Sequence, residues 1–136
     1  VFKASGVLVA FVLAAPFGRF EASAADATVF TPHTSCAALL FYTAEDNRGA
    51  PTPEAKARLS SIVDMMNPYI QELSPYMASD RLFRQFFASL DAECRQDQNE
   101  AMGSAVRAVG NKLVDAANQE MQAAGKPVHL TYPPPG

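Results

Sequence analysis

Apolar residues recur along this chain at intervals of three and four, and no stretch of strand length alternates apolar with polar positions. That spacing predicts helices throughout, and proline and small polar residues mark where each one starts. A first helix is expected over about 35–45, capped by Thr34 or Ser35, with Cys36, Leu39, Leu40 and Thr43 on one face. The stretch Asn47-Arg48-Gly49-Ala50-Pro51 reads as a loop. Thr52-Pro53-Glu54 then opens a second helical region: threonine caps, proline takes the first position and glutamate suits the positive helix end. Leu59, Ile62, Val63, Met66, Ile70 and Leu73 continue it as one stripe. Pro68 and Pro75 interrupt that stripe, each after a capping residue, so two or three kinked pieces are expected over 53–78.

Ser79-Asp80 starts the next helix, whose apolar face is Leu82, Phe83, Phe86, Phe87, Leu90 and Cys94. After the polar break Gln96-Asp97-Gln98-Asn99, a last helix is expected over about 100–123, with Met102, Val106, Val109, Leu113, Ala116 and Ala117 as its stripe and Gly125 as its stop. Residues 126–136 carry Tyr-Pro-Pro-Pro-Gly and read as a proline-rich flexible tail. The fold class expected is all-α: a small bundle of four to six helices over 26–125, some proline-kinked.

The first 25 residues carry a different pattern. Lys3 precedes an apolar run from Gly6 to Ala15, Pro16 and Gly18 break it, and small residues lead to a cleavage site near Ala24/Ala25. This reads as a secretory signal peptide. The uncharged stretch ends at Arg19, short for a membrane span, and no cysteine follows the cleavage region to carry a lipid. The expected location is the bacterial periplasm or the exterior. Without Lys3, Arg19 and Glu21, eleven basic and fourteen acidic residues become nine and thirteen. That mild acidity argues against nucleic acid and anionic membranes as partners.

Export changes the meaning of Cys36 and Cys94, the two cysteines of the chain. Outside the cytoplasm such thiols tend to pair, and both lie on the core faces of their helices. One intramolecular disulfide, Cys36–Cys94, is the favoured pairing; free thiols or intermolecular bonds are the alternatives.

Reactive chemistry is sparse. His33 and His129 are single residues in loop regions, and there is no phosphate loop, catalytic triad or C-x-x-C pair. No enzyme, cofactor or metal is expected. Met65, Met66, Met77, Met102 and Met121 fall mostly on helix stripes, where core filling explains them. The candidate contacts with other proteins are Met65, Met66, Tyr69, Ile70, Tyr76, Phe83, Phe86 and Phe87. Their helical spacing is more often that of a core than of a contact surface.

Two segments, T-S-C-A-A-L-L at 34–40 and E-C-R-Q-D-Q-N-E-A-M-G-S-A-V at 93–106, carry a family likeness. The chain resembles the HdeA family, small exported helical proteins linked to acid resistance in bacteria, over roughly 34–117, with residues 44–78 unmatched. The resemblance implies a homodimer at neutral pH that dissociates in strong acid and holds unfolding proteins on exposed apolar surface, its disulfide keeping the opened state compact. Full protonation would leave nine basic residues and two histidines, a charge of +11 that works against a compact state. Exported immunity proteins of type VI secretion systems share a similar two-cysteine helical pattern. Stress protection is therefore the first functional expectation, and a module that blocks one toxin the alternative.

Overall fold

The structure is a computed structural model and describes residues 29–134; the expected signal segment 1–25 lies outside the described residues. Among the described residues four helices follow in order: α1 (Cys36–Asp46), α2 (Pro53–Leu73), α3 (Ser79–Gln96) and α4 (Met102–Ala123). No strand occurs among the described residues, and the fold is a small all-α bundle.

The caps are those the sequence announces. Ser35 accepts from the Ala38 N–H, and Thr52 from the Ala55 N–H at 3.0 Å, with Pro53 at the first helical position. Pro68 does not divide the second region. Residues 53–73 form one continuous helix with Pro68 inside it. The physical reason is which side the proline occupies. Asp64, Asn67 and Pro68 are exposed, so the missing hydrogen bond falls on the solvent side, while Met66, Tyr69 and Leu73 keep the opposite face buried. Ser74-Pro75 opens a turn instead of another helix, with the Tyr76 N–H donating to the Leu73 carbonyl at 3.0 Å.

The last helix starts at Met102, two residues later than its sequence pattern suggests, because residues 98–101 are engaged elsewhere. The Cys36 and Ala37 N–H groups at the start of α1 donate to the Glu100 and Gln98 carbonyls, at 2.8 and 2.9 Å. In return, the Met102 and Gly103 N–H groups at the start of α4 donate to the Thr34 and Pro32 carbonyls, at 2.7 and 2.9 Å. Two helix N-termini thus satisfy each other's orphan donors through their leading loops. The Cys36–Cys94 disulfide joins this junction to the last turn of α3, with a Cα–Cα distance of 4.9 Å.

α4 is the central element, packed by α3 on one side and α2 on the other; α1 lies mainly on α3. The core includes Met66, Leu73, Leu82, Phe86, Leu90, Met102, Val109 and Val114, all essentially without exposure. Gly110 allows α2 to approach. A Cβ there would meet Tyr69 ring carbons at 2.5 Å, and the Tyr69 hydroxyl is anchored on Asn111 Oδ1 at 2.8 Å.

The segment after α4 departs from a free tail. Gly125 takes φ +72°, the chain reverses, and residues 128–132 return onto the bundle with Leu130 buried. The local pattern of prolines gave no sign of this, because the partners come from α2 and α4.

Two outcomes follow from these constraints. Replacing either cysteine by serine should lower stability by about 4 kcal/mol, the chain-entropy value for a closed loop of 58 residue steps, measured by denaturant unfolding. Gly110→Ala should destabilise by about 1–3 kcal/mol through overpacking against Tyr69. That sign is opposite to the roughly 1 kcal/mol that helix propensity alone would add.

Candidate functional site

The structure scatters the contact residues proposed from sequence. Met66, Tyr69 and Phe86 are buried in the core, and the Tyr69 and Phe86 rings meet edge to face at 6.2 Å. Met65, Ile70, Phe83 and Phe87 are half-buried against it, with Phe83 and Phe87 stacked at 6.4 Å. Tyr76 is exposed in the turn after α2. These eight residues make no single preformed face: three of them are interior.

An apolar groove of about 420 Å³ opens between α1, α2 and α3. It exists because α2 lies along α4 and leaves a gap beside α1 and α3. Phe30, Leu39, Ile62 and Leu90 line it as buried residues, Phe87 joins them from α3, and Leu59 stands at its edge, 51% exposed. Of the eight sequence candidates, Phe87 alone reaches this groove. Leu59 was expected on the core stripe; the buried face of α2 is rotated instead onto Arg58, Ser61, Ile62, Met66, Tyr69 and Leu73.

That rotation places a cation where an apolar residue would normally sit. Arg58 is buried and forms a forked ion pair with Asp46 at the end of α1, Nε to Oδ2 at 2.9 Å and Nη2 to Oδ1 at 2.5 Å. Its guanidinium also covers the Tyr42 ring, 4.6 Å from the centroid. Behind it, the Ser61 hydroxyl donates to the Arg58 carbonyl at 2.7 Å and accepts from the Phe30 N–H at 3.0 Å. One polar line therefore ties the N-terminal stretch, α1 and α2 together along the groove wall. Sequence reasoning missed it. The available signal was the position of Arg58, four residues before Ile62 and eight before Met66, within the buried stripe.

Two carboxyl groups respond to their surroundings in opposite senses. The hydrogen bond from Arg58 holds the Asp46 carboxyl below its ordinary value of 3.8, reinforced by the guanidinium charge against the cost of burial. Burial pushes Glu100 above its ordinary 4.5, helped by the facing carboxylates of Glu93 and Asp97 and offset by Lys112. Lys112 Nζ lies 3.7 Å from Glu93 Oε1. Folding is thus favoured by ionised Asp46 and disfavoured by ionised Glu100, which gains from protonation as pH falls.

Chemically the groove offers apolar walls and charged groups of both signs (Asp46, Lys56, Arg58, Asp91). No group of three potential metal ligands occurs among the described residues, and no helix among them is long and apolar enough to cross a membrane.

Asp46→Asn should cost about 2 kcal/mol at pH 7, the scale of hydrogen bonds to a charged group. Because Asp46 titrates below 3.8 when folded, its contribution is fully present above that value and is lost as pH falls through the lowered one. Wild-type and variant unfolding curves should therefore converge in that acid range.

Comparison with protein-family models, curated proteins and solved structures returns no match, so the likeness to the HdeA family rests on the residues quoted for it.

Proposed function

We propose that this chain is an exported protein-binding module, without catalytic activity, that seats apolar side chains of another protein in the groove between α1, α2 and α3. The groove is the observation that carries the reading. Its volume, about 420 Å³, lies within the range of ordinary binding sites. An apolar floor with an open edge and a rim of mixed charge matches the anatomy of protein interfaces better than a pocket for one small charged molecule. The disulfide and the expected signal peptide supply the case for export. A preformed groove favours one specific partner, as in a toxin-blocking immunity protein.

A second reading is an acid-activated holdase, and the Asp46–Arg58 pair supports it. This pair joins α1 to α2 across the groove, and protonation of Asp46 in strong acid removes it. The groove walls would then part, and Met65, Met66, Tyr69, Ile70, Phe83 and Phe86 would become client surface only as the core opens.

Peptide-library selection against the disulfide-bonded protein at pH 7, followed by amide shift mapping, tests the first reading. Selected peptides should perturb residues 39–47, 55–62 and 87–91. Leu59→Asp, at an exposed position, should weaken them at least tenfold with little change in stability. Shifts confined to other surfaces would sink the groove. Light scattering of an acid-labile client at about pH 2–3 tests the second. Suppressed aggregation with loss of the near-UV signal favours the holdase, whereas a protein that stays folded and protects nothing excludes it.

A further inference from the structure

Residues 126–132 are held in the manner of a bound peptide. They form neither helix nor strand; Val128 is half-buried and Leu130 only 5% exposed, while His129, Thr131 and Tyr132 are exposed. Asn118 on α4 engages both backbone groups of Leu130: its Nδ2 donates to the carbonyl at 2.9 Å and its Oδ1 accepts from the N–H at 2.7 Å. The Thr131 N–H donates to Glu72 Oε2 of α2 at 3.2 Å. The Tyr132 hydroxyl donates to Asp115 Oδ1 of α4 at 2.7 Å.

Three of these four bonds read backbone and are indifferent to sequence. Selectivity comes from the apolar slot that Leu130 fills and from the carboxylate that receives a tyrosine hydroxyl. Main-chain bonds plus pockets for alternate side chains are the usual means of recognising extended peptides. Gly125 can serve as the hinge to α4: it is exposed, adopts a positive φ that favours glycine, and stands in open space. Release of the segment would leave all four helices in place.

We propose that the slot on α2 and α4 is a recognition site for a segment of a partner protein that carries an apolar residue followed two positions later by tyrosine. The chain's own residues 128–132 occupy this site in cis, and the partner enters by displacing them. The site is separate from the groove and stands independently of its function. A tethered occupant acts at an effective concentration of about millimolar, so it sets a threshold that a weak free peptide does not cross.

The experiment uses the full described chain and a fluorescent peptide of residues 126–134. Leu130→Asp should release the segment and give saturable peptide binding, with at least tenfold weaker binding to wild type. The same Leu-to-Asp change within the peptide should abolish binding, and Tyr-to-Phe at the position of Tyr132 should weaken it severalfold. In wild type, millimolar peptide should speed hydrogen exchange of the Leu130 amide. No saturable binding to a folded Leu130→Asp variant, or equal binding to both proteins, overturns the proposal. Should that variant fail to fold, an unchanged Leu130 exchange rate in wild type overturns it instead. Concentration-dependent dimers of wild type that Leu130→Asp abolishes would assign the slot to a second copy of this chain and overturn the assignment to a partner.

Discussion

The first N–H groups of α1 and α4 have no acceptors within their own helices, and each pair finds them in the loop that leads into the other. Cys36 and Ala37 donate to Glu100 and Gln98, while Met102 and Gly103 donate to Thr34 and Pro32. Four orphan donors are satisfied without a side chain, in a partly buried place where leaving them unpaired would cost about 1–3 kcal/mol each. The disulfide binds the end of α3 to the same point. Three of the four helices therefore meet at one covalently closed junction, and their relative positions follow from it. Gly103 belongs to this constraint as well: a Cβ there would lie 2.8 Å from that of Pro32.

α2 stands outside that junction. It is held by packing on α4, where Gly110 admits Tyr69, and by the line from Asp46 through Arg58 and Ser61 to Phe30. A helix attached along one side leaves a gap on the other, and the groove is that gap. The slot that receives Leu130 also involves α2, through Glu72, on its border with α4. Both candidate binding regions thus border the helix that the disulfide does not secure. This is the arrangement expected where recognition needs some freedom while the rest of the fold stays fixed.

Acid acts on this architecture in two directions. Losing the Asp46 charge weakens the clasp of α2, whereas neutralising Glu100 relieves repulsion beside the disulfide junction. Acidification accordingly removes a bond from the groove side of the molecule and a repulsion from the junction side. That asymmetry comes from where the charges sit and not from their number.

The helical fold, the caps at Ser35 and Thr52, the apolar face of α3, the first half of that of α4 (Met102, Val106 and Val109) and the pairing of the cysteines were legible in the sequence, because each rests on local periodicity or on the presence of just two thiols; beyond Val109 the buried face of α4 turns to Val114 and Met121 and leaves Ala116 exposed. Three features were not. Pro68 remains inside α2 because its exposed side bears the missing bond while packing holds the other, and sequence alone does not weigh these against each other. Arg58 is buried because Asp46 and Tyr42 lie across a loop from it, and Leu59 is correspondingly turned outward to the groove. Residues 126–132 are pinned by side chains up to 59 positions away, although their composition alone describes a free segment. What the sequence by itself determined was the helical class, the caps of α1 and α2 and the apolar face of α3, which depend on neighbours three or four residues apart. What only the tertiary structure decided was the groove, the ion pair beside it and the occupied slot, since each depends on groups brought together from separate helices.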